Sequence, residues 1–166
     1  PDLIEYEFRA PTAGRELGYQ AVPRFDLPSL QPFEAMFVDD KDYPVVIRGG
    51  DKTAFVLIDM KSRAKFKIDV RRKSDNGRAF ATIVSTNGVH KLPYQCTVYS
   101  DGCGSMEHVK SVAIAMGINH QCIPPHEQSL NEAEKVCDRM WAAARTHHMH
   151  TGAPMYLMAE TVALSM

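Results

Sequence analysis

Cysteine is sparse, tryptophan occurs once, and no apolar run approaches the length of a membrane span. The four cysteines, Cys96, Cys103, Cys122 and Cys137, form no CxxC pair. That spacing argues against a zinc knuckle, and a reducing compartment is the simplest reading. No basic-then-apolar leader opens the chain, so an intracellular location without membrane insertion is expected. Excess charge is missing as well: 19 Lys and Arg stand against 20 Asp and Glu, for a net charge of −1 and a pI near 6.8. Such a balance argues against a purely electrostatic nucleic-acid binder. It leaves room for an enzyme that grips nucleic acid locally and neutralises its own carboxylates with metal. No repeat or low-complexity tract occurs.

What is present suits one well-buried domain: 166 residues, 45% hydrophobic and 23% charged. The chain starts at Pro1 rather than methionine and ends at Met166 inside an apolar helical pattern. A fragment of a longer polyprotein is therefore expected. Residues 1–32 carry Pro1, Pro11, Pro23, Pro28 and Pro32 with little periodicity, and read as an extended arm or linker. Regular patterning begins near Phe33, so residues 33–166 are expected to form the domain.

The pattern predicts a strand at Ala35–Val38 running into Asp39, then a hairpin turning at Arg48-Gly49-Gly50-Asp51 into a second strand at Thr53–Ile58. A third strand is predicted where Lys61, Arg63, Lys65 and Lys67 alternate with Ser62, Ala64, Phe66 and Ile68. A period of two puts the four basic residues on one face. Ser74 is expected to cap a helix bearing Ala79, Phe80, Ile83 and Val84, closed by Asn87-Gly88. A short strand at Thr97–Tyr99 ends by Asp101, and a second helix with Met106, Val109, Ala113 and Met116 stops at Gly117. Ile118–Ile123 reads as a last strand. Leu130, Ala133, Val136, Cys137, Met140, Trp141 and Ala144 form the apolar stripe of the longest helix, and Pro154 opens a fourth. The order β-β-β-α-β-α-β-α-α fits an α/β fold with a mixed five-stranded sheet flanked by helices, the ribonuclease H-like arrangement.

Three acidic residues fall where such a fold builds sites: Asp39 and Asp101 at strand ends, and Glu134 inside a helix start. Three convergent carboxylates suit divalent metal ions, and two such ions can cut or join a phosphodiester. Asp40 competes with Asp39, because the register is not fixed by sequence. Glu132 competes with Glu134. Ser129-Leu130-Asn131-Glu132 fits a capping box in which Glu132 folds back onto Ser129. That gives Ser129 and Glu132 a structural role and leaves Glu134 on the margin of the apolar stripe. Asp59, at the end of the second strand, reads as a structural hydrogen-bond acceptor.

Lys61, Arg63, Lys65, Lys67 and the run Arg71-Arg72-Lys73 are the basic concentration. A solvated strand face is the ordinary reading, and a phosphate track for nucleic acid is the functional one. The histidines of His147-His148-Met149-His150 are expected to complement the end of a helix and meet solvent. Trp141 is expected in the core or at a dimer contact.

Four stretches together resemble the catalytic core of integrases from retroviruses and copia-type retrotransposons. Phe37-Val38-Asp39, with Pro32 upstream, resembles the first strand and its aspartate. Phe55 to Arg63, with Asp59-Met60-Lys61-Ser62-Arg63, resembles the second strand and its turn. Tyr99-Ser100-Asp101-Gly102 resembles the second aspartate segment. Gly117-Ile118-Asn119-His120-Gln121, with Pro125, Gln128, Ala133, Glu134 and Lys135, resembles the strand, glutamine loop and glutamate helix that follow. Residues 145–160 resemble copia-type cores in particular. The resemblance implies that Asp39, Asp101 and Glu134 bind two Mg2+ or Mn2+ ions. It implies 3′-end processing and strand transfer of element DNA, a DNA partner at which Gln128 lies, a homo-oligomer, and a nuclear site of action on host DNA.

The sequence departs from that pattern in places. The gap between Asp101 and Glu134 holds 32 residues, Gly102 replaces the usual asparagine, and Asn131 replaces the loop glycine. Cys137 stands where copia-type cores carry asparagine, and Asp138 lies one turn beyond Glu134. These departures support an alternative: a decayed or domesticated core that binds DNA or protein without catalysis.

Overall fold

A computed structural model of the chain describes residues 22–102 and 104–164. Five strands, β1 (Ala35–Asp42), β2 (Thr53–Asp59), β3 (Lys65–Val70), β4 (Thr97–Ser100) and β5 (Asn119–Cys122), form one sheet in the order β3-β2-β1-β4-β5. β1 pairs antiparallel with β2, and β2 with β3; β1 pairs parallel with β4, and β4 with β5. Among the described residues four helices complete the fold: α1 (Asn76–Thr86), α2 (Glu107–Ala115), α3 (Glu132–Thr151) and α4 (Met158–Leu164). The sheet is mixed because hairpins join the first three strands while helical crossovers join the last ones. The element order is the one the sequence predicts.

Alternation along β1 divides the core. Met36 and Val38 point with Phe55 and Leu57 into a cluster with Phe80, Val84, Val109 and Ala113 of α1 and α2. Phe37 points with Val56 and Ile58 the other way, against Val136, Met140 and Trp141 of α3 and Val162 of α4. β2 is buried at every position, as a strand covered on both faces must be. Gly77 lets α1 approach α2: a Cβ there would stand 2.7 Å from the His108 carbonyl oxygen. Gly117 stops α2 with φ 72°, a conformation that costs other residues strain. Among the described residues, no helix is long and apolar enough to cross a membrane.

Part of the predicted arm packs on the core. Leu30 is buried, and Phe25 meets Phe37 and Tyr99 edge-on, with ring centroids 6.0 and 5.5 Å apart. Residues 1–21 lie outside the described residues.

Local predictions fail at helix starts and one turn. Ser74 does not cap α1; it lies in a 3-10 turn, Lys73–Asp75, and the residue before the helix is Asp75, with no side-chain cap. Lys61 and Arg63 do not share a strand face with Lys65 and Lys67, because β3 begins only at Lys65. Asp59 draws the chain into a turn there, accepting from the backbone N–H of Phe33 (2.7 Å) and Ser62 (2.9 Å) and from the Ser62 hydroxyl. Arg63 takes φ 61° within that turn. Asp59 is 0% exposed, its carboxylate enclosed by this turn. Leu130 is 43% exposed and leaves the α3 stripe, since it ends the 3-10 turn Pro125–Leu130.

Candidate functional site

The register of β1 separates the two rival aspartates. Asp39 shares the face of Phe37, toward α3, whereas Asp40 shares the face of Val38, toward α1. Asp40 is engaged on that side by Lys73 Nζ at 2.7 Å and by the Asn76 amide at 2.7 Å. The β1–β4 pairing runs through Phe37 opposite Tyr99, whose rings stack at 5.0 Å. The pairing stops there; Asp101 follows the end of β4, and its charge is felt by Asp39.

Glu134 lies in the first turn of α3, which also carries Glu132. The capping box expected at Ser129 and Glu132 does not form. Asn131 is the cap: its side-chain oxygen accepts from the Ala133 N–H at 3.0 Å. The helix begins at Glu132, too late for Ser129, which belongs to the preceding 3-10 turn. Glu132 instead pairs with Lys135 at 2.7 Å and Arg63 at 3.3 Å. Those cations hold its carboxyl below the ordinary value against the effect of burial. Glu132 remains structural by a different route, and Glu134 stays half-buried at the helix start, where a carboxylate complements the dipole.

Burial pushes the Asp39 carboxyl up to about 7; a hydrogen bond from the Asp40 N–H opposes this, and the charges of Asp101, Asp40 and Glu134 add to it. Asp39 therefore feels both other candidate carboxylates. Among the described residues no three His, Cys, Asp or Glu side chains are gathered closely enough to hold a metal ion as they stand. The oxygen donors are nonetheless of the hard type that Mg2+ and Mn2+ take. Mutual repulsion at a half-buried carboxylate is what a bound cation would relieve.

Lys41, two residues beyond Asp39 and on its face, bonds Asp138 of α3 at 2.8 Å. That hydrogen bond, aided by the charges of Asp138 and Asp39, holds the Lys41 ammonium above its ordinary value. Lys41 escaped the sequence reading because it is a single cation in an acidic stretch; only the strand period links it to the site.

The basic residues are dispersed. Lys61 Nζ donates to the Leu27 and Pro28 carbonyls at 3.1 and 2.8 Å. Lys67 is 8% exposed in its side chain and pairs with Asp69 at 2.7 Å, beside the Tyr43 hydroxyl. Arg71 faces Asp51 at 3.9 Å, and Lys73 bridges Asp40 and Asp42. Lys65 and Arg72 are exposed. Arg71, Arg72 and Lys73 line a surface cleft with Lys52 and Tyr43. The side chains of Gln128 and Ser129 lie outside the described residues. In the histidine run, His148 does not meet solvent. It is buried, with Nδ1 at 2.9 Å from the Ala153 carbonyl and Nε2 at 3.2 Å from Thr161 Oγ1, tying α3 to α4.

No family model matches the chain, and no curated protein matches it. Solved structures do. The chain is similar to the HTLV-2 integrase catalytic core domain in complex with magnesium. In the trimeric form the TM-score is 0.55 at 13% identity, over 82% of this chain and 84% of that one. In the dimeric form it is 0.53 at 14% identity, over 80% and 86%. It is also similar to a chain of the simian T-cell lymphotropic virus intasome in complex with a PP2A regulatory subunit, with a TM-score of 0.60 at 11% identity. That match covers 82% of this chain but 48% of the other. At these identities the likeness is one of fold: a ribonuclease H-like sheet and helix arrangement, as in integrase catalytic cores.

Proposed function

We propose that residues 33–166 form a metal-dependent polynucleotidyl transferase core acting on DNA, derived from a retrotransposon-like polyprotein. The observation that supports this reading is the half-buried Asp39 carboxyl, which feels the charges of Asp101 and Glu134 within an integrase-like fold. These three side chains would hold two Mg2+ or Mn2+ ions, with Asp101 and Glu134 turning toward Asp39 to complete the ligand set. The ions, when bound, supply Lewis-acid activation of the attacking hydroxyl and charge relief at the leaving oxygen. The chain's own residues do the rest. β1 carries Asp39, the segment just after β4 carries Asp101, and the first turn of α3 carries Glu134. Lys41 offers a cation to a phosphate beside them, and exposed Lys65 and Arg72 offer others farther out.

The substrate class is DNA ends and a target duplex, in 3′-end processing and strand transfer. The similar structures include dimeric and trimeric cores and an intasome, which supports a homo-oligomer working on DNA, in the nucleus when host DNA is the target. A second reading, a core that binds DNA or protein without catalysis, is favoured by Asp138, which neutralises the Lys41 cation at the site's edge. A strand-transfer assay with Mg2+ or Mn2+, run on the full-length protein beside Asp101→Asn, separates the two. Product that requires both the metal and Asp101 supports the enzyme; DNA binding without product supports the binding module.

A further inference from the structure

Asn131 occupies an unusual place between the candidate ligands. It is 2% exposed. Its side-chain oxygen accepts from the Ala133 N–H, capping α3, while its Nδ2 donates to the Val38 carbonyl at 3.3 Å. Its own carbonyl accepts from the Lys135 N–H at 3.3 Å. Val38 directly precedes Asp39, and Glu134 lies three residues beyond Asn131. One buried amide thus joins the backbone beside one carboxylate to the helix turn that carries another. The two ends of the amide do different work, and few side chains can do both. A serine or threonine accepts from the helix but is too short to reach the strand, and a glycine does neither.

We propose that Asn131 is a positioning residue that sets the spacing between Asp39 and Glu134 and thereby the affinity of the site for a divalent ion. This rests on the reading of Asp39, Asp101 and Glu134 as metal ligands. The Asn131 amide is a fixed strut from β1 to α3. Outer partners that fix a ligand's orientation commonly matter about 10–100-fold in metal affinity. The strut contributes by limiting how far α3 can drift from β1, not by touching the ion.

The test is Mn2+ binding to the full chain, followed by the spectroscopic signal of free Mn2+, with melting measured in parallel. Asn131→Ser keeps a neutral helix cap and removes the strand bond. The proposal expects Asn131→Ser to melt close to the parent while binding Mn2+ at least about tenfold more weakly. Asp39→Asn is the control and is expected to abolish binding. If Asp39→Asn abolishes binding and Asn131→Ser binds as the parent does, the positioning role is overturned and the ligand reading survives. If the parent binds no Mn2+, or Asp39→Asn binds like the parent, the ligand reading falls and the positioning role with it. Asn131→Thr repeats the measurement should the serine variant not fold. Nuclear magnetic resonance of the unaltered chain gives a further check. The Asn131 side-chain amide protons are expected to exchange slowly with water, and rapid exchange would overturn the strut whatever the variants do.

Discussion

Lys41 Nζ on β1 lies 2.8 Å from Asp138 Oδ1 on α3, so a cation on the same strand face as Asp39 is already partnered by the protein. The pair is partly exposed on both sides, which makes it weak and exchangeable. A DNA phosphate competing for Lys41 must displace Asp138 and approach that carboxylate. Asp138→Ala is therefore expected to tighten DNA binding several-fold at low salt and to steepen the salt dependence by about one released counterion. Fluorescence anisotropy with labelled duplex across a salt series measures both. Unchanged affinity and slope would remove Lys41 from the DNA-binding face.

Asp39 makes metal-free stability fall as pH rises. Its carboxyl titrates near 7 in the fold and near 3.8 when unfolded, because burial disfavours the charge first and the neighbouring carboxylates add to that. Between those values the folded chain holds a proton that the unfolded chain has released, so the contribution is full below 3.8 and lost on the way to 7. Asp39→Asn is expected to melt higher than the parent at pH 7.5 without metal, with the gap closing near pH 4. Melting curves in chelator across that range check it. An Asn variant that melts lower at pH 7.5 would show that neither burial nor the neighbouring charges disfavour the ionised carboxylate.

His120 works in the opposite sense. Burial, helped by Lys110, lowers its imidazole to about 4 from 6.5. Its Nε2 lies 2.9 Å from the Ser100 hydroxyl, next to Asp101. Between pH 6.5 and 4 the unfolded chain binds the extra proton, so this contribution is present above 6.5 and lost as pH falls toward 4. His120→Gln is expected to flatten the loss of stability over that window relative to the parent. An unchanged acid limb would place the histidine in solvent.

The α1–α2 contact depends on Gly77. A methyl group there meets the His108 carbonyl oxygen at 2.7 Å and the Val112 side chain at 3.2 Å, and the backbone contact leaves little room to yield. Gly77→Ala is expected to destabilise the chain by about 1–3 kcal/mol despite the better helix propensity of alanine. Urea unfolding measures it. A neutral or stabilising result would mean that the two helices separate readily.

The residues differ in how much of this they announced. Of the three candidate carboxylates, Asp101 follows the end of β4 and Glu134 lies in the first turn of α3, as the pattern predicts, but Asp39 lies inside β1, which runs on to Asp42 rather than ending there. Which faces Asp39 and Asp40 take was not legible, since that depends on how β1 is covered by α3 on one side and α1 on the other. The capping box at Ser129 was plausible locally but lost to Asn131, whose amide serves the helix and β1 together. A local pattern sees the first partner and not the second. The Lys61 to Lys67 alternation failed for a similar reason. Asp59 captures the Ser62 N–H and hydroxyl and turns the chain where a period of two would run straight on. Phe25 and Leu30 were hidden by prolines that read as a linker, although their side chains reach the core.

The central claim is that Asp39, Asp101 and Glu134 together hold divalent metal. Calorimetric titration of Mn2+ into the full chain and into Asp39→Asn, Asp101→Asn and Glu134→Gln tests it most directly. The expected result is saturable binding by the parent and a loss of at least about tenfold in affinity for each single variant. Binding by the parent that all three variants retain, or no binding by the parent at all, would contradict it.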